Sequence, residues 1–230
     1  MESIFSRTEQ LLGGQAMQKL AAAHVAVIGL GGVGSWCAEA LWRSGVGRLT
    51  LMDFDIVAPS NLNRQAQALR STLGQDKAAA LAERLRDIDD GREITLLSLR
   101  YTPEEREALF VLRPDYIADC IDSVKEKTDL IREAKCRTIP ILSALGTGGK
   151  TDASLLRVGD IAKTDTCPLA RAMRRSLRAE GIPHADVVWS PEPAAGATEG
   201  KPGTVMWVPA AAGLLMAQEI IKKLTEPAAE

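Results

Sequence analysis

Gly29, Gly31 and Gly34 fit the pattern G-x-G-x-x-G in the stretch HVAVIGLGGVGSW at residues 24–36, with Gly32 inside it. Where such glycines join a strand to a helix, backbone N–H groups at the helix N-terminus cradle phosphate oxygens. Asp53 stands 24 residues beyond Gly29, the distance at which a carboxylate ending the next strand hydrogen-bonds a ribose hydroxyl. Together these features describe a nucleotide site. By themselves they suit NAD and a redox module best, with a merely structural glycine turn as the plainer alternative.

The next residues shift that balance toward a triphosphate. In DFDIVAPSNLNRQ (53–65) and GQDKAAA (74–80), Asn61, Asn63, Arg64, Gln65 and Lys77 crowd behind the second strand, where a redox dinucleotide has no need of them, and Asp55 joins the candidate nucleotide-binding residues. Arg64 and Lys77 supply cationic donors for phosphoryl oxygens, and Asn61 and Gln65 fix orientation without adding charge. Asp122 ends DYIADCID (115–122), at the carboxyl edge where ligands of parallel sheets bind, and a carboxylate there can hold Mg²⁺ against phosphates. Each residue taken singly also has an ordinary reading: Asn61, Ser60 or Asp122 as helix caps, Arg64 and Lys77 as solvated cations.

The elements that must position these groups follow from periodicity. Apolar, β-branched runs predict strands at 24–28, 48–53, 93–99, 115–121 and 139–145, and helical spacing predicts helices at 33–44, 75–89, 103–111 and 123–137. Strict alternation of strand and helix implies an α/β, Rossmann-like, doubly wound and mostly parallel sheet. The second half breaks the alternation. It offers short strands at 154–160, 185–190 and 204–208, a basic helix at 168–181, a Pro- and Gly-rich loop at 190–203 and a closing helix at 209–224, an elaborated and partly antiparallel half. We read one unit, with a helical arm at 1–23, a nucleotide-binding core at 24–150 and an acceptor-side half at 151–230.

Composition narrows the functions. A chain of 230 residues, 46% hydrophobic and 25% charged, forms one sizeable core. A net charge of −2 leaves nucleic-acid binding to a local patch. Arg171, Arg174, Arg175 and Arg178 form such a stripe at helical spacing, to track a phosphate backbone or to face solvent. No apolar run reaches the ~18–20 residues of a spanning helix and no signal pattern opens the chain, which places it in the cytoplasm without stable membrane insertion. Cys37, Cys120, Cys136 and Cys167 include no C-x-x-C pair, against a zinc ribbon or disulfide framework. Three of them read as buried inert thiols and Cys167, beside Pro168, as the exposed one. His24 and His184 are the only histidines, too few for a histidine-based metal site.

GLGGVGSW, DFDIVAPSNLNRQ, GQDKAAA and DCIDSVKEK resemble the adenylate-forming ThiF/MoeB superfamily, which includes ubiquitin-activating enzymes, over about residues 5–150. The resemblance implies ATP and Mg²⁺, with Asp53 on the ribose, Asn61, Arg64 and Lys77 on the phosphates, and Asp122 near the metal. It also implies that Arg7, in SRTEQLLG, reaches the partner subunit's site in a homodimer. Lack of paired C-x-x-C motifs points away from activators of sulfur carriers. DIAKTDTCPLARAMRRSLR, VVWSPE and GTVMWVPAAAGLLMAQEIIKKL are instead similar to the tRNA threonylcarbamoyladenosine dehydratases. That branch implies tRNA as partner and adenylation of the threonyl carboxylate, which an internal nitrogen then closes. Alternatives are adenylation of a ubiquitin-like sulfur-carrier protein at its C-terminal glycine, a redox module, and a non-catalytic nucleotide sensor.

Overall fold

The computed structural model describes residues 3–195, 197–198 and 201–226. Strand β1 (His24–Ile28) is buried at all five positions, as a central strand covered on both faces must be. It pairs in parallel with β2 (Arg48–Met52) on one side and β4 (Tyr116–Asp119) on the other. β3 (Glu93–Leu97) extends the sheet beyond β2, and β5 (Ile141–Ala144) and β7 (Asp186–Trp189) extend it beyond β4, all in parallel. β6 (Arg157–Asp160) closes that edge antiparallel to β7. The order is therefore β3-β2-β1-β4-β5-β7-β6. The winding reverses between β1 and β4, so the crevice at their carboxyl ends is where such a sheet takes a ligand.

Alternate residues of each strand feed two cores. Val25, Val27, Leu49 and Leu51 face helices α3 (Gly34–Arg43), α4 (Lys77–Arg86) and α8 (Trp207–Thr225) through Leu41, Trp42, Leu81, Leu85, Met216 and Ile220. Ala26, Ile28 and Ile117 face α5 (Glu107–Phe110), α6 (Val124–Cys136) and α7 (Pro168–Ala179). The N-terminal helices α1 (Ser6–Leu12) and α2 (Gly14–Ala22) precede the sheet, and Lys19 ties α2 to the end of α8 by donating to the carbonyls of Thr225 and Glu226. Among the described residues no helix is long and apolar enough to cross a membrane.

Several expectations change, among them the helix expected over 103–111, which is the single turn Glu107–Phe110. Residues 204–208 are not a strand: Trp207 and Val208 open α8. Val208, Ala212, Met216 and Ile220 are buried at a four-residue spacing, so the end of the apolar run opens a helical face while 204–206 lead into it without regular structure, and Pro209 sits in the first turn, where its missing N–H costs nothing. The strand expected over 115–121 ends at Asp119, which leaves Asp122 in the connection to α6. Within 190–203 two short strands, β8 (Ala197–Thr198) and β9 (Lys201–Pro202), pair antiparallel; residues 196, 199 and 200 of that segment lie outside the described residues.

Candidate functional site

Beyond β1 the chain turns sharply because three backbones meet there. Gly29 donates its N–H to Met52 O at 2.8 Å and has φ +87°. A Cβ on it would lie 2.8 Å from the carbonyl oxygen of Cys120, and one on Gly34 would lie 1.8 Å from that of Gly29. These two positions exclude any side chain. Gly31, in contrast, faces open space, so a ligand can approach the backbone there. No side chain caps α3, so its N-terminal dipole is left to an anion, with Ser35 N already donating to Gly31 O at 3.1 Å.

Asp53 leaves the end of β2 and is 8% exposed. Its Oδ2 accepts the N–H of Leu30 at 2.6 Å and its Oδ1 that of Asp55 at 2.9 Å, so it holds the glycine turn in place. Burial raises its pKa above the ordinary carboxylate value, opposed by those two donors and by the charge of Lys77. Each oxygen keeps a second lone pair, sufficient for a ribose hydroxyl.

Of the two expected cations, Arg64 lies against the glycine turn and Lys77 against Asp55. The methylenes of Arg64 lie along Gly32, where a Cβ would come within 3.3 Å of Cγ and Cδ. Its guanidinium donates to Ser60 O at 2.7 Å and Asn63 Oδ1 at 2.9 Å, and the indole N–H of Trp36 donates to its carbonyl at 2.9 Å. Lys77 opens α4 behind the Asp76 cap, which accepts from Ala79 N. It is 5% exposed and pairs with Asp55 Oδ2 at 2.8 Å. Asn61 takes the ordinary role open to it: its Oδ1 accepts Ala58 N at 3.0 Å and shapes the turn that carries Arg64. Gln65 is buried, with Oε1 3.4 Å from Gln67 Nε2.

Asp122 is exposed at the carboxyl end of β4 and makes no hydrogen bond or ion pair among the described residues. Arg7 is exposed on α1 and is not brought to the turn. Phe5, two residues before it, lies under the Arg92 guanidinium at 4.9 Å, and Arg92 donates to Val46 O and Trp42 O at the amino-terminal entrance to β2. The turn lies at the opposite end of five-residue strands, about 16 Å away at ~3.3 Å per residue.

Three readings of the sequence need correction or addition. Arg174 leaves the expected stripe on α7: it turns inward and donates to Thr164 O at 2.8 Å and to the Thr164 hydroxyl. Arg171, Arg175 and Arg178 stay exposed. Cys167 is buried and Cys136 is the exposed thiol, because Cys167 packs beneath α7 while Cys136 ends α6 on its outer face. Burial pushes the Cys37 thiol up to about 12 and that of Cys120 well above its usual value, so both are inert. Sequence reasoning missed Gln67, buried with its amide donating to Leu30 O at 2.8 Å. It also missed the fully buried ion pair of Asp119 Oδ2 and Lys127 Nζ at 2.7 Å. Both stood inside or beside quoted motifs, but nothing in their spacing marks them.

The chain as a whole is similar to known proteins. The tRNA threonylcarbamoyladenosine dehydratase of Bacillus subtilis is 39% identical over 238 residues, covering 96% of this chain and 94% of that protein. The enzyme of the same name from Escherichia coli is 41% identical over 176 residues, 76% of this chain and 66% of its own length. The crystal structure of the E. coli enzyme, TcdA, in complex with ATP has a TM-score of 0.90 and 37% identity, covering 96% of this chain and 93% of that one. With residues 5–230 matching the family as a whole, the chain belongs to the ThiF family.

Proposed function

We propose that this protein uses ATP to activate the threonyl carboxylate of N6-threonylcarbamoyladenosine in tRNA and closes it into a ring with net loss of water. The observation that carries this reading is Arg64 against the glycine turn with Lys77 held by Asp55, whose N–H bonds the Asp53 that fixes that turn, in a chain that matches an ATP-bound dehydratase along 96% of its length. The open backbone at Gly31 and the uncapped N-terminus of α3 receive phosphate oxygens. Asp53 holds the ribose through the lone pairs that Leu30 and Asp55 leave free. Arg64 and Lys77 stabilise the charge that builds on the phosphates as a carboxylate oxygen attacks the α-phosphorus and pyrophosphate leaves. An internal nitrogen of the modification then attacks the acyl carbon and AMP departs with the carboxylate oxygen, so no protein nucleophile is needed.

The donors present fit Mg²⁺. Among the described residues no group of three His, Cys, Asp or Glu gathers to cage a metal, and Mg²⁺ characteristically binds through one or two carboxylates together with substrate phosphates. Asp122, exposed and unpartnered at the crevice, is such a carboxylate. When bound, the metal neutralises phosphate charge.

We place Arg7 in the site of a second copy in a homodimer. It starts at the wrong edge of its own sheet, and α1 buries none of its residues while Ile4 and Leu11 are 62% and 84% exposed. ATP and tRNA meet in the cytoplasm, where we place the reaction.

ATP–pyrophosphate exchange tests the acceptor. Exchange should rise with tRNA bearing the threonylcarbamoyl group and not with unmodified tRNA; stimulation by a carrier peptide ending in Gly-Gly instead would establish the sulfur-carrier reading. Isothermal titration should show binding of ATP with Mg²⁺ and none of NAD. Micromolar NAD binding without ATP binding would return the site to redox chemistry.

The exposed stripe on α7 makes a separate prediction. Arg171→Ala with Arg175→Ala should lower the log–log salt slope of tRNA binding by about 1–2 units, since each lost phosphate contact releases fewer counterions. ATP affinity should hold, because neither side chain contacts the glycine turn. An unchanged slope would make the stripe a solvated face.

A further inference from the structure

Four residues, Cys120 to Ser123, join β4 to α6, and every one of them but Asp122 is fixed. Cys120 donates its N–H to Ile28 O at 2.8 Å, and its carbonyl presses on Gly29. Ile121 donates its N–H to Asp119 Oδ1 at 3.1 Å. Ser123 bonds Glu126 through its side chain and accepts Lys127 N at 3.0 Å. Two of these ties run through residues of one ion pair. Asp119 and Lys127 are both 0% exposed; Lys127 Nζ donates to Asp119 Oδ2 at 2.7 Å and lies 3.3 Å from the Asp119 carbonyl oxygen.

Desolvating two charges costs about as much as their attraction returns, so a buried pair is weak as a source of stability. What this pair does supply is direction. Lys127 locks the Asp119 carboxylate so that its other oxygen caps Ile121, the residue before Asp122, and the same connection abuts the glycine turn at Gly29. We propose that the buried Asp119–Lys127 pair is a positioning device that aims Asp122 at the metal and sets the spacing between that carboxylate and the phosphate-binding turn. The inference rests on the reading of Asp122 as the metal carboxylate. Neither Asp119 nor Lys127 touches the ligand; both act through the connection, as outer-shell groups act on the ligands they orient.

The test measures the gain in ATP affinity on adding Mg²⁺, by calorimetry, in wild type, Asp122→Ala and the double variant Asp119→Asn with Lys127→Met. The double variant removes both charges together and leaves none unpaired in the core. It should lose about tenfold or more of the Mg²⁺-dependent gain, as outer-shell changes do. Its affinity for metal-free ATP should stay within about twofold of wild type, because Asp53, Arg64 and Lys77 are untouched. Amide exchange at Ile121 should quicken. A smaller loss of the gain, or an equal fall in metal-free affinity, overturns the proposal. Should the double variant fail to fold, Asp119→Glu, which keeps both charges paired but moves the carboxylate by one methylene relative to Ile121 N, takes its place in the same comparison with the same thresholds. Asp122→Ala separates the two ideas: if it keeps the full gain, the metal assignment itself fails, whereas loss in Asp122→Ala with none in the pair variant sinks the positioning role alone.

Discussion

Asp122→Ala is expected to lower turnover by about 100-fold or more, roughly 2.7 kcal/mol of transition-state stabilisation, while the protein stays folded. The separation follows from where the side chain stands. Asp122 is exposed, makes no bond among the described residues, and lies within a connection whose other members carry the structural ties. Replacing a surface group of this kind changes stability by within about 0.5 kcal/mol, or about 1–2 °C in Tm for a chain of this size. On the proposed mechanism the carboxylate acts instead where charge moves, at the phosphates taken up between β1 and β4. Activity above about a tenth of wild type, a loss under ~1.4 kcal/mol, would remove Asp122 from the centre of the reaction.

Arg7→Ala is expected to be as damaging, by about 10³ in turnover if Arg7 stabilises phosphoryl charge from the second subunit, and mixing should reveal it. In a hybrid dimer of Arg7→Ala and Asp122→Ala, the first subunit keeps its own Asp122 and receives Arg7 from its partner, while the opposite site lacks both. With free exchange at equal amounts half the dimers are hybrids and each has one intact site, so about a quarter of wild-type activity should return from two inactive proteins. The geometry behind this is the placement of Phe5 under Arg92, at the end of the sheet away from the glycine turn. No recovery, with exchange shown by a mass-labelled subunit, would put Arg7 outside catalysis or in its own subunit's site.

What the chain states locally it states clearly. Gly29 and Gly34 are required by the sharp exit from β1, a short-range constraint, and the period-two and helical runs specify the alternating elements that place Asp53 one strand away. The segment that carries Arg64 and Lys77 was legible for the same reason: cations and amides follow a strand end within a few turns of chain. Local signals also misled where two structures share one pattern. The apolar run at 204–208 suits a strand by composition, and only the sheet's need for a covering helix, met by Val208, Ala212, Met216 and Ile220, drew its last two residues into α8.

Pairings across the fold were decided by packing alone. Arg174 shares the helical spacing of its neighbours, yet the Thr164 carbonyl within its reach turns it inward, because an unpaired carbonyl buried beside α7 costs more than a solvated arginine gains. Asp119 and Lys127 flank Asp122 in the sequence without showing that they meet, since a strand residue and a helix residue come together only when the connection folds back. Arg7 reads as near or far from the site only once the sheet has a direction. Spacing along the chain determined which candidate residue types follow the glycine turn; the tertiary structure decided how each is oriented and what it pairs with, because orientation depends on contacts between segments that the sequence does not place side by side.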